Sequence, residues 1–144
     1  MADNQKWNKQ EWDERNDKVI EQFRAQAGNV GAGKTPHLLL TTTGAKSGLP
    51  RVNPLHYSTD GDRFVVVASK GGFATHPDWY FNLVAHPEVT VEVGAERFRA
   101  RASVAEGAER ERLYSEHAAL LPHFADFPKR TKRQIPVILL ECIR

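Results

Sequence analysis

The sequence predicts a small, mainly antiparallel β-barrel with helices packed outside it, an α+β chain of about six strands. Three observations predict it. Short apolar or alternating runs recur along the chain, bounded by glycine- and aspartate-rich turns. Asp60-Gly61-Asp62 and Gly94-Ala95 are hairpin signals that join neighbouring runs directly. The 144 residues suffice for one domain with a core and not for two.

In order, Trp7 to Ala27 reads as a helix with a narrow apolar stripe of Val19, Ile20 and Phe23, with Trp12 about two turns earlier. That pattern suits packing on the domain edge or on a second subunit. Acidic Glu11, Asp13, Glu14, Asp17 and Glu21 argue against an anionic membrane surface. Gly28 to Thr35 matches the phosphate-loop spacing G-x-x-x-x-G-K-[ST]. The flanks are wrong, because a polar helix precedes it and Pro36 with an apolar strand follows. A glycine linker is the better account, so residues 1–36 read as helix plus linker and residues 37–144 as the barrel domain.

Strands are expected over His37–Thr43, Arg51–Ser58 and Arg63–Ser69. Phe64 to Ala68 is apolar throughout, as in a strand covered on both faces. Thr75 to Pro87 reads as a short helix, with Pro77 at its first position, Asp78 at its positive end, and Trp79, Tyr80, Leu83 and Val84 on one face. Val89–Val93 and Arg97–Val104 alternate as strands. Glu106–Leu121 is an amphipathic helix with Leu113, Tyr114, His117, Leu120 and Leu121 on one side. Pro122–Gln134 is an aromatic and basic connector and Val137–Glu141 a last apolar strand, and Cys142 at its end is expected to be buried and inert.

Composition narrows the function. Twenty basic and 18 acidic residues give +2, too balanced to indicate a nucleic-acid binder. One cysteine excludes an intrachain disulfide and fits a reducing compartment. No apolar run approaches the roughly 20 residues of a membrane span. The expectation is a cytoplasmic, soluble protein, with peripheral membrane contact and a homodimer left open.

Six histidines show no metal-ligand spacing, so no metal is expected, and most read as surface or turn residues. The exception is His56, which follows Asn53-Pro54 and could face a ligand or be a hydrogen-bonded strand residue. No serine elbow is present. Two basic glycine turns stand out. Gly44 to Arg51 projects Lys46, Ser47 and Arg51 from a short loop, chemistry suited to a phosphate. Ser69-Lys70-Gly71-Gly72 is the second. If the first three strands are neighbours, the turns converge on one crevice. With no acid–base pair, nucleophile or metal, an enzyme built this way needs a bound cofactor as its reactive centre.

The blocks Thr41-Thr-Thr-Gly-Ala-Lys-Ser-Gly-Leu-Pro-Arg-Val-Asn-Pro-Leu55, Ala68-Ser-Lys-Gly-Gly72, Pro77-x-Trp-Tyr-x-Asn-Leu83 and His86-Pro-Glu-Val89 resemble the deazaflavin-dependent nitroreductase family. The resemblance runs from about Leu38 to the last strand. It implies a split β-barrel that binds coenzyme F420 and delivers hydride from its reduced form to a quinone, activated alkene or nitro-aromatic. It implies that Lys46, Ser47 and Arg51 hold the phosphate and acidic tail, and that Val52, Asn53 and Pro54 line the cofactor's path. By the same resemblance Ala68, Ser69, Lys70, Gly71 and Gly72 contact the deazaflavin, and Pro77, Asp78 and Trp79 close the pocket, although Trp79 alone reads more readily as a core anchor.

Four positions depart from that pattern. Ala45 stands where relatives commonly carry an arginine, which removes a cation from the turn. Leu121, Phe124 and Phe127 stand where nitro-reducing relatives often show tyrosines, and phenylalanine cannot donate a hydrogen bond. Nitro reduction therefore transfers poorly. His56 and Tyr57 become the candidates for substrate contact or proton supply, with Phe124 and Phe127 beside His56 in the substrate pocket. The alternatives are an FMN-dependent oxidoreductase on the same barrel and a non-catalytic cofactor- or lipid-binding protein.

Overall fold

The computed structural model describes residues 9–25, 37–69, 76–129 and 134–143. Helix α1 (Lys9–Ala25) precedes β1 (His37–Thr43), β2 (Pro50–His56), β3 (Ser58–Asp60) and β4 (Arg63–Val67). Helix α2 (Asp78–Ala85), β5 (Glu88–Val93), β6 (Glu96–Val104), α3 (Gly107–Leu120), a 3₁₀ helix (Pro122–Lys129) and β7 (Val137–Cys142) follow. The linker reading of Gly28 to Thr35 lies outside the described residues, as do Lys70, Gly71 and Gly72.

The strands form one sheet in the order β2-β1-β5-β6-β7-β4-β3, with every neighbouring pair antiparallel. Strands β2 and β3 are its two edges, yet only Tyr57 separates them in sequence. In a flat sheet those edges would lie roughly 28 Å apart, six spacings of about 4.7 Å. One residue spans less than about 4 Å. The sheet therefore curls until its edges meet at Tyr57, and the result is the split barrel that the resemblance implies.

The alternation of each strand sorts its side chains between the two faces. Leu38, Leu40, Val66, Val89, Val91, Ala100, Ala102, Ile138 and Leu140 point inward and form the main core. Trp79 and Leu83 of α2 close that core. The residues between them point outward. Val65, Val67, Val137 and Leu139 pack under Leu113 and Tyr114 of α3 and Phe124 of the 3₁₀ helix. Leu39 is covered by Phe23 of α1, with Ile20 and Val52 beside it. Arg24 adds an ion pair to Glu92 at 3.0 Å. Burial on both faces explains why β4 reads as an unbroken apolar run.

Several expectations need correction. The run expected over Arg51–Ser58 breaks at Tyr57 and its last residue opens β3, so the described residues hold seven strands. The strand Arg63–Val67 pairs with β3 and β7 and not with β2, so the first three predicted strands are not all neighbours. Periodicity identified the strands but carried no information on which edges the curl would join. Cys142 is exposed, since β7 emerges from the core after Leu140. Val84 and Leu120 are exposed although both were placed on apolar faces. Pro77 is the N-cap of α2, one position earlier than expected, and Asp78 leads the first turn.

Candidate functional site

The turn between β1 and β2 is built around two glycines. Gly48 has φ 72°, a left-handed conformation that glycine adopts without strain. Gly44 N–H donates to Leu49 O at 2.8 Å, and Gly48 N–H donates to Gly44 O at 2.9 Å. Ser47 Oγ accepts from Leu49 N–H at 3.2 Å. A Cβ at Gly44 would lie 2.4 Å from that Ser47 Oγ, so the hydroxyl occupies space only a glycine leaves.

Helix α2 holds this turn in place. The buried Asn82 accepts from Ala45 N–H through Oδ1 at 2.9 Å and donates through Nδ2 to Thr42 Oγ1 at 3.2 Å. Neither Asn82 nor Thr42 stood among the predicted site residues. The signal was present in the quoted Trp-Tyr-x-Asn-Leu block, where a polar side chain sits between Trp79 and Leu83 on the buried face of a short helix. Lys46, Ser47 and Arg51 are exposed on the pinned turn. Among the described residues, neither cation has a carboxylate partner. A fixed turn carrying two cations and a hydroxyl fits a phosphate or polycarboxylate tail.

From Arg51, β2 runs to His56, about 17 Å away at a rise of roughly 3.3 Å per residue. Its alternation sets Val52, Pro54 and His56 on the outer face, with Val52 against α1. Asn53 and Leu55 face inward, opposite Leu40 and Leu38. Asn53 therefore does not share the strip that Val52 and Pro54 form.

At the far end of β2, His56 lies directly across from His37, with ring centroids 4.2 Å apart. Phe124 meets His56 edge-on at 6.3 Å, and Phe127 packs on Phe124 at 5.0 Å. The three predicted pocket residues, His56, Phe124 and Phe127, are thus brought together. Tyr57 is not with them. Its ring packs on Phe64 at 5.5 Å, among the side chains bordering the barrel interior.

Behind Phe124 stands His117, fully buried, with Nδ1 2.7 Å from Ser58 Oγ. This pair also escaped the sequence reading, which took most histidines for surface residues. Ala68 and Ser69 are buried at the end of β4, where Ala68 N–H donates to Pro136 O at 2.9 Å. Pro77 and Trp79 are buried and Asp78 is exposed, and Trp79 belongs to the main core. No group of three or more potential metal ligands occurs among the described residues.

A family model described as F420H(2)-dependent quinone reductase matches residues 14–142. The chain belongs to that family. An F420H(2)-dependent quinone reductase of Mycobacterium tuberculosis is 38% identical over 126 residues, covering 82% of this chain and 83% of that one. A solved F420-H2 dependent reductase, FDR-A, is 41% identical, with a TM-score of 0.69 over 74% of this chain and 94% of its own. A second solved structure, described as a domain-swapped dimer, is 34% identical, with a TM-score of 0.71 over 93% of this chain and 100% of its own. Members of the quinone reductase family are oxidoreductases that depend on reduced F420. No described helix is long and apolar enough to cross a membrane.

Proposed function

We propose that this chain reduces quinones with hydride from F420H2, and that β2 is the track along which cofactor and acceptor are arranged. The observation that carries the reading is the layout of β2. Its first end continues a pinned turn whose two cations have no carboxylate partner among the described residues, and its last end places His56 against Phe124. Lys46, Ser47 and Arg51 hold the phosphate and acidic tail. Val52 and Pro54 support the cofactor along the strand, and Ala68 and Ser69 approach the deazaflavin from the end of β4. When bound, the reduced deazaflavin supplies the hydride.

The chain's own residues orient the acceptor and handle its proton. Phe124 and Phe127 offer aromatic edges to a flat apolar ring, and they shield it from water. His56, with His37 across from it, is a polar group of this cluster, placed to donate a hydrogen bond or proton to an acceptor oxygen. Tyr57 faces the barrel side of the seam, so this role falls to His56 and not to Tyr57. Phenylalanines at 124 and 127 add no hydrogen-bond donor for a nitro group and suit the flat ring of a quinone.

The test is turnover. The purified protein with F420H2 and menadione should restore the fluorescence of oxidised F420, and omission of protein should not. Binding of FMN in place of F420 would favour the flavin alternative, and F420 binding without turnover across quinones, enones and nitro-aromatics would favour a carrier. The proposal extends to a cytoplasmic homodimer, supported by the relative described as a domain-swapped dimer. Sedimentation at several concentrations tests that state, and flotation with anionic vesicles tests peripheral membrane contact.

A further inference from the structure

We infer that His117 is a positioning residue of the acceptor site, and that its buried hydrogen bond to Ser58 sets Phe124 and, through Phe124, the imidazole of His56. The inference rests on the proposed acceptor site and goes beyond it. It names the support that holds two of that site's walls.

The seam of the barrel is where the support is needed. His56 ends β2 and Ser58 begins β3, on either side of Tyr57, and no ladder joins these two edges. Helix α3 addresses both residues. His117, in its last turn, reaches Ser58 directly, with Nδ1 and Oγ 2.7 Å apart. The ring of His117 then meets Phe124 edge-on at 4.5 Å, and Phe124 meets His56 edge-on at 6.3 Å. The sequence of contacts Ser58–His117–Phe124–His56 therefore closes a loop across the seam.

Phe124 is held at its backbone as well. Tyr114 Oη donates to Phe124 O at 2.6 Å, and Phe124 N–H donates to Leu121 O at 2.9 Å. Backbone anchoring leaves the ring's direction to its neighbours, and His117 among them is held by a directional bond to Ser58. An apolar side chain would fill the same buried space without fixing a ring orientation, whereas a hydrogen bond has a preferred geometry. A hydroxyl–imidazole pair at a fully buried position is what orientation requires and filling does not.

Two substitutions separate the parts. Ser58→Ala removes the bond and keeps the ring. His117→Asn keeps a polar atom near the Nδ1 position and removes the ring edge that Phe124 touches. Menadione KM and kcat would be measured with F420H2, alongside the F420 dissociation constant by fluorescence. Ser58→Ala should raise KM about fivefold and His117→Asn about tenfold, with kcat and F420 affinity within about twofold of wild type. The double variant should be no worse than His117→Asn, since both act on one path.

Unchanged KM in both folded variants would overturn the inference. So would an equal loss of F420 affinity, which would show a merely structural role. If Ser58→Ala does not fold, Ser58→Cys keeps the shape with a weaker hydrogen-bonding group and should give a smaller KM rise. If the wild type does not turn over menadione, the proposed function fails, and the geometry is then read separately. Fluorine NMR of fluorophenylalanine-labelled protein should show the Phe124 resonance shifting in Ser58→Ala, and an unshifted resonance would overturn the positioning role.

Discussion

Asn82 and Ala45 are joined by a 2.9 Å hydrogen bond from the Ala45 N–H to the Asn82 side-chain oxygen. The bond runs from a buried helix face to the exposed turn that carries Lys46 and Arg51. It makes the position of those cations depend on how α2 packs in the barrel. It also gives residue 45 a role independent of its side chain, so the alanine that costs the turn a cation leaves the anchoring intact.

Asn82→Ala should therefore act at a distance. It strands the buried Thr42 hydroxyl, at about 1–3 kcal/mol, and releases the Ala45 N–H of the exposed turn to water. The expected outcome is lower stability in urea and F420 affinity reduced by about tenfold, with menadione KM little changed. Urea denaturation and fluorescence titration on the same preparation check both parts.

The turn's backbone makes a second prediction. A Cβ at Gly48 meets nothing within 4 Å, so the cost of Gly48→Ala comes from φ 72° alone. That cost is about 1–2 kcal/mol. Gly48→Asn should cost less, because asparagine tolerates the left-handed region. Gly44→Ala differs in kind, since its Cβ would displace Ser47 Oγ and break the bond to Leu49 N–H. Denaturation curves should place Gly48→Asn nearest to wild type.

Acid stability should depend on the β3–β4 hairpin. Asp60 bonds Arg112 Nη1 at 3.1 Å and also pairs with Arg63, and these two guanidinium groups hold its carboxyl below the ordinary value of 3.8. The folded pKa lies below the unfolded one. The contribution is therefore fully present above the unfolded value and is lost as pH falls through the folded value. Asp60→Asn should lower stability at neutral pH and flatten the acid limb below about pH 4. Thermal unfolding as a function of pH for both proteins is the check.

Much of this architecture can be read from the sequence, for identifiable reasons. The alternation of Phe98 to Val104 and the apolar run of Phe64 to Ala68 are local signals, and both became strands. The cationic turn was legible because Gly44, Lys46, Gly48 and Arg51 are close in sequence. The seam was not, because a single residue, Tyr57, divides what reads as one continuous strand, and only the strand order sets its halves on opposite edges of the sheet. Asn82 and His117 were missed for a related reason. Their partners, Ala45 and Ser58, lie 37 and 59 residues away, and a lone polar residue on an apolar helix face does not state its partner.

Charge at the turn is the core of the account, and fluorescence titration of F420 against wild type and Lys46→Ala/Arg51→Ala tests it most directly. Each cation removed should cost about 1.5–3 kcal/mol of binding, the range for hydrogen bonds to charged groups. The double variant should remain folded and bind F420 at least a hundredfold more weakly, with the loss shrinking as salt is raised. A folded double variant that binds F420 as tightly as wild type would contradict the account and place the phosphate elsewhere.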